Sequence, residues 1–220
     1  MRLQVVGTVA QTAQLSFDKG ETLWASKGSI VSHSPGLAWD VRVPGGLSAG
    51  LKRSLSGEGI SLTHIETTSD GQQVTLGANA PGHIARWELT SEGPVLTTRG
   101  AFLAASGSEI DITISVARRV GAALFGGAGL VLQRIAGAGI ALVHARGDLQ
   151  RVVLEEGSTL LVSTGNLAAF SESVSYDVER VGSLRKTLFG KEGLFMTRLA
   201  GPGTVLVQSL KPASSRGASS

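Results

Sequence analysis

Gly59-Ile-Ser-Leu-Thr-His64-Ile65, Gly129-Leu-Val-Leu-Gln-Arg134-Ile135 and Gly193-Leu-Phe-Met-Thr-Arg198-Leu199 are three renderings of one pattern: a glycine, an apolar row at alternate positions, then a cationic side chain or histidine. A second anchor precedes each one, at Gly20-Glu-Thr-Leu, Gly93-Pro-Val-Leu and Gly157-Ser-Thr-Leu, and a further glycine follows at Gly28, Gly100 and Gly165. The anchor-to-anchor distances are 39, 36 and 36 residues, so the register survives one short insertion in the first copy. A chain that keeps such a register predicts three tandem copies of one structural unit.

Working outward from the motif, each copy reads as β. In the second copy Glu109-Ile-Asp-Ile-Thr-Ile-Ser-Val116 places Ile110, Ile112, Ile114 and Val116 on one face by period-two alternation. The equivalents are Leu37-Ala-Trp-Asp-Val-Arg-Val43 and Val174-Ser-Tyr-Asp-Val-Glu-Arg-Val181. Turn signals follow the glycine-led strand at Ser69-Asp-Gly, Ala136-Gly-Ala-Gly139 and Ala200-Gly-Pro-Gly203, with return strands at Gln73–Leu76, Ile140–His144 and Thr204–Gln208. No long window shows a capped apolar stripe of period 3.6, so helices are expected to be short.

Composition agrees. Hydrophobic residues make up 42% but aromatic residues only 5%, so the core must come from Val, Leu, Ile and Ala, with 30 glycines for turns and close approaches. Trp24, Trp39 and Trp87 stand in strand contexts and read as core. The absence of cysteine excludes disulfides, thiolate metal sites and cysteine nucleophiles. Net charge is +3, a mildly basic surface and no nucleic-acid polycation. The start, Met1-Arg-Leu-Gln-Val-Val-Gly, has neither the basic and apolar run of a signal peptide nor an organelle presequence, and a cytoplasmic location is expected. Gly121 to Val143 is apolar enough to imitate a membrane span, but Gln133 and Arg134 lie near its middle, where a charge costs roughly 2.5–3.5 kcal/mol.

The expected architecture is therefore all-β: residues 1–211 as a single domain of three β-sandwich-like repeats, about 1–80, 81–148 and 149–211, and a disordered tail over 212–220. A unit of this size cannot hide both faces and both edges of its own sheets, so the copies are expected to pack around a pseudo-threefold axis. Edges left over invite pairing with other subunits, and a homotrimer is expected.

The closing segment Leu188-Phe-Gly-Lys-Glu-Gly-Leu-Phe-Met-Thr-Arg-Leu-Ala-Gly-Pro-Gly-Thr-Val-Leu-Val-Gln-Ser209, with the repeats before it, resembles the altered-inheritance-of-mitochondria (mitochondrial biogenesis) family over about residues 1–211. The resemblance implies a fold like the tryptophan-RNA-binding attenuator protein, a short double-stranded β-helix type, and assembly into trimeric rings. It lends no catalytic residue, and the attenuator's RNA and tryptophan sites do not transfer to positions here.

Two residue sets recur with the repeat. His64, Arg134 and Arg198 end an apolar row in each copy; a threefold arrangement would gather them into a ring able to bind a carboxylate or phosphate. The competing reading is that each pairs with an acid such as Glu109, Asp177 or Glu179. The dibasic pairs Lys52-Arg53, Arg118-Arg119 and Arg185-Lys186 precede the strand glycines and would attract an acidic protein, an anionic membrane surface or RNA, or stand as solvated loops.

Signals for catalysis are weak. His33, His64, His83 and His144 are scattered without metal-ligand spacing. Gly126–Gly129 and Gly137–Gly139 lack the Gly-Lys-Ser/Thr of a phosphate loop, and Ser32-His33-Ser34 is no nucleophile elbow. No catalytic residue, metal or cofactor is expected. The functional expectation is a non-enzymatic β scaffold or interaction protein presenting basic positions. An RNA-binding ring, for which no motif speaks, and an enzyme or binder for a small anionic ligand are the alternatives.

Overall fold

Alternating apolar residues with few helix formers favour strands, and the computed structural model, which describes residues 1–42, 61–116, 130–181 and 194–212, is nearly all β. In chain order the strands are β1 (Arg2–Val6), β2 (Thr12–Phe17), β3 (Thr22–Ser26), β4 (Ile30–His33), β5 (Ala38–Arg42), β6 (Leu62–Glu66), β7 (Gln72–Gly77), β8 (Gly82–Glu88) and β9 (Val95–Thr98). They continue with β10 (Phe102–Val116), β11 (Val131–Arg146), β12 (Leu149–Leu154), β13 (Thr159–Ser163), β14 (Leu167–Ser171), β15 (Ser175–Val181), β16 (Leu194–Ala200) and β17 (Gly203–Gln208). Helix is confined to one turn over Leu89–Glu92 and a 3-10 turn over Thr164–Asn166 among the described residues.

Among the described residues three antiparallel sheets result: β1-β2-β7-β4, a ten-stranded sheet ordered β12-β17-β14-β9-β11-β10-β3-β6-β5 with β8 also on β11, and β13-β16-β15. The long pair β10 and β11 links the rest. The half of β11 nearer its start carries β9, from Leu132 to Ile135, while the other half carries β8, from Ile140 to Arg146. On the other flank β3 pairs with Ala104–Ser106 of β10.

Here the structure corrects the sequence reading. Ala136-Gly-Ala-Gly139 was expected to be a hairpin turn, yet β11 continues through it unbroken. The glycines serve close approach instead. Gly107 pairs with Gly139, and a Cβ on Gly107 would sit 2.1 Å from the Ala138 carbonyl oxygen; one on Gly137 would sit 2.5 Å from that of Glu109. Glu109 itself has φ 56°, at the register shift between Ser108 and Asp111. A bulge with positive φ bends both strands together, and that bend sends their two halves to different neighbours. The chain does turn at Ser69–Gly71 and Gly201–Gly203, but neither turn closes the expected hairpin: β6 and β7, and likewise β16 and β17, lie in different sheets.

The interior divides into three clusters. One lies around Ala13, Leu15, Phe17, Leu23, Ile65 and Leu76; a central one holds Trp87, Phe102, Ile112, Ile135 and Leu206; the third packs Leu132, Phe170, Leu199 and Val205. Aliphatic residues predominate, as composition requires. Trp87 is fully buried, donates its indole N–H to the Gly93 carbonyl at 3.0 Å and carries Arg151 over its ring at 5.3 Å. Trp24 packs at the edge of the central cluster. Trp39 does not follow the core expectation; it is half exposed.

Of the apolar stretch that imitated a membrane span, residues 131–143 run as strand β11. Among the described residues no helix is long and apolar enough to cross a membrane. The tail expected to be disordered lies almost wholly outside the described residues.

Gly107→Ala is expected to cost about 3 kcal/mol in urea unfolding, because the Cβ meets backbone that cannot yield and φ is 146°. Gly20→Ala, with φ 84° and open space around the new Cβ, should cost about 1 kcal/mol from backbone strain alone.

Candidate functional site

The three recurring cationic positions lie on the central strands of three-strand units. His64 on β6 stands opposite Trp24 of β3 and Asp40 of β5. Arg134 on β11 stands opposite Leu96 of β9 and Thr113 of β10. Arg198 on β16 stands opposite Leu161 of β13 and Asp177 of β15. The register positions match, but the side chains do not gather. Arg134 and Arg198 are each engaged with a carboxylate, as the competing reading of the sequence expects, whereas His64 packs against Trp24.

Arg134 has the strongest pairing. Its Nε and Nη2 donate to the two carboxylate oxygens of Glu172 at 2.6 and 3.0 Å, and its guanidinium lies 3.6 Å from Asp111. The pairing raises the Arg134 pKa further and holds the Glu172 carboxyl below its usual range. A bidentate fork of this kind fixes geometry as well as charge. Arg198 donates from Nε to Glu179 at 2.9 Å, on a more exposed surface.

His64 is 8% exposed and stacks at an angle against Trp24, ring centroids 4.5 Å apart. Desolvation, with Arg42 nearby, pushes its pKa down against the opposing pull of Asp40 and Glu66. A neutral imidazole follows at neutral pH, so the 3.8 Å approach to Asp40 carries no ion pair there; Asp40 instead accepts from Arg42 Nε at 2.8 Å. Ala38, Trp39, Asp40, Arg42, His64 and Glu66 line an open groove beside it, to which neither Arg134 nor Arg198 contributes.

His144, read from sequence as one of four scattered histidines, is buried on β11, and burial lowers its pKa as well, followed by the field of Arg146. His83 sits nearby with Nδ1 2.8 Å from the Gly147 carbonyl. Among the described residues no group of three or more His, Asp or Glu is placed to hold a metal ion. Lys52, Arg53, Arg118, Arg119, Arg185 and Lys186 lie outside the described residues.

The family model for mitochondrial biogenesis AIM24 matches residues 3–210. The chain belongs to this family. An uncharacterized protein of Streptococcus pyogenes serotype M6 is similar to the AIM24 chain, 28% identical over 206 residues that make up 90% of this chain and 80% of that protein. A crystal structure of a Streptococcus pyogenes protein superposes with a TM-score of 0.76 at 23% identity, covering 96% of this chain and 94% of that one, and so shares the fold. These relatives bring no assigned chemistry to the AIM24 chain, whose site must be read from its own side chains.

Glu172→Gln is expected to lower unfolding stability by about 0.5–1 kcal/mol, a screened value for a half-exposed pair, and the loss should shrink in high salt. Stability should also depend on pH through the histidines. Above the ordinary histidine pKa of 6.5, His64 and His144 are neutral folded or unfolded. As pH falls below 6.5 the unfolded chain binds protons that the folded chain refuses, so the urea midpoint should drop through that range. His144→Gln should flatten the drop, and an unchanged slope would assign it elsewhere.

Proposed function

We propose that this AIM24 protein is a non-enzymatic β scaffold in which three tandem copies, about 1–80, 81–148 and 149–211, sit around a pseudo-threefold axis and the chains assemble as a homotrimer. On this reading the assembly presents Lys52, Arg53, Arg118, Arg119, Arg185 and Lys186 to an anionic surface, an acidic protein or a membrane.

The pairing registers support the tandem reading. The first copy contributes β2-β7-β4 and β3-β6-β5; the third contributes β12-β17-β14 and β13-β16-β15. In the second, β10 and β11 each do the work of two strands, with β8 and β9 completing the same two triplets. A register shift falls at the same place in all three, between Ile30 and Ser32, Phe102 and Ala104, and Leu167 and Ala169.

One observation carries the functional half. Each dibasic pair falls in sequence between the two strands of an equivalent antiparallel pair, whose last described partners are Arg42 and Leu62, Val116 and Val131, and Val181 and Leu194. The described strands thus end and resume at matching register positions in all three pairs. His64, Arg134 and Arg198, by contrast, are engaged with Trp24, Glu172 and Glu179, which speaks against them as the anion-binding set.

The test is co-sedimentation with vesicles of anionic and of neutral lipid. Capture by anionic vesicles is expected, with loss at 1 M salt, where the screening length is about 3 Å. The variant carrying Arg118→Glu, Arg119→Glu, Arg185→Glu and Lys186→Glu should lose capture while keeping its mass in solution. Equal capture of variant and wild type would sink the basic-surface reading, and binding to RNA without binding to vesicles would replace it.

A further inference from the structure

Two seams inside the chain show how one copy joins the next. At the first, Ala104, Ala105 and Ser106 of β10 pair with Ala25, Trp24 and Leu23 of β3. At the second, Ala169, Phe170 and Ser171 of β14 pair with Thr97, Leu96 and Val95 of β9. A hydroxyl seals each one: Ser26 donates to the Phe102 carbonyl, and Thr98 donates to the Leu167 and Ala168 carbonyls at 2.8 and 3.1 Å.

The corresponding strands of the remaining seam are β4 of the first copy and β13 of the third. Within one chain they are not paired with each other; each is the edge of its sheet. Side chains that the two filled seams bury are bare there. Val31 is 63% exposed, whereas its equivalents Leu103 and Ala168 are 1% and 0% exposed. Leu161 is 49% exposed against 8% for its equivalent Leu96. Trp39 and Val41 of β5, the next strand in sequence, are each 51% exposed; at the matching positions of β10 and β15, Ile112 and Val178 are buried and Tyr176 and Ile114 half-buried.

Charge separates these two edges from the others. The edges at β5 and β15 carry Asp40 and Arg42, and Asp177 and Glu179, as solvent-facing edges do to discourage pairing. Ile30-Val-Ser-His33 and Thr159-Leu-Leu-Val-Ser163 carry no Lys, Arg, Asp or Glu and no proline. An uncharged edge with bare apolar side chains is a surface built to be covered.

We propose that β13 of one copy pairs with β4 of a second copy of this chain, antiparallel, filling the third seam between molecules as the first two are filled within one. This deepens the assembly part of the function proposed above and rests on its tandem reading. Carrying the two internal registers across sets Ser32 opposite Val162, His33 opposite Leu161 and Ser34 opposite Leu160, with the Ser163 hydroxyl donating to the Ile30 carbonyl of the second copy. The contact is heterologous, so each molecule offers one edge of each kind.

That asymmetry provides the test. Val31→Asp spoils one edge and Leu161→Asp the other; both side chains are exposed in the single chain, so each variant should fold and its circular dichroism should match wild type. Measured by light scattering, the full wild-type chain is expected as a multimer and each variant alone at the single-chain mass of 22.6 kDa. An equimolar mixture of the two variants should give a dimer and stop, since one intact edge of each kind remains. A monomeric wild type, meaning that another part of the chain covers these edges, overturns the proposal. So does a variant that keeps the wild-type mass, which would place assembly on another face, or a mixture that stays monomeric. Vesicle capture reads the basic pairs and mass reads the seam, so failure of either is told apart from failure of the other.

Discussion

The close approach of β10 to β11 at Gly107 and Gly139 is the constraint on which the remaining structure rests. Twelve register pairs run along these two strands from Phe102 opposite Val143 to Val116 opposite Val131, with two shifts on the way. Without a side chain at the crossing both backbones bend, and the bend divides one ladder into two platforms. β8 builds on one and β9 on the other. Any Cβ at Gly107, Gly137 or Gly139 would lie within 2.6 Å of a carbonyl oxygen, so only glycine permits the bend. Because β3 and β14 reach the central ladder directly and through β9, the three core clusters inherit their placement from it.

How much of this was legible in the sequence follows from the kind of signal each part leaves. Alternation over Glu109–Val116 gives strand and face directly, and Ile112 is indeed buried. Ser69-Asp-Gly reads as a turn because its residues accept turn conformations and little else suits them. Ala136-Gly-Ala-Gly139 carries the same letters for a different reason. A glycine required by an approaching backbone looks identical to one required by a turn until the partner, here Gly107, is known. Trp39 misleads for a related reason: its alternation places it on the core face, but it stays half exposed at that end of β5.

The candidate site divides along the same line. Position 64, 134 or 198 was recoverable because the motif repeats, and the structure sets all three at matching register positions. The partners were recoverable only where they are local. Glu179 is diagonal to Arg198 within one hairpin, and sequence alone offered it as an acid for pairing. Glu172 lies 38 residues from Arg134 in a turn after β14, a neighbour created by the second seam, and no local spacing announces it. The pair therefore ties β11 to the turn after β14 where β14 meets β9, as much a joint between strands as a surface charge pair.

Joining by strand edges also limits what the molecule can be. An edge satisfied within the chain needs no further cover, and the first two seams are filled by the chain's own order along the sequence. Among the described strands β4 and β13 remain edges with Val31 and Leu161 exposed, so on the assembly proposed above their cover comes from the complementary edge of a second copy. Heterologous contacts close into a ring when their rotation sums to a full turn and otherwise run on as a filament. A trimer therefore requires each chain to turn its two free edges through one third of a circle, a geometric condition on the seam that mere adhesion of apolar patches would not impose.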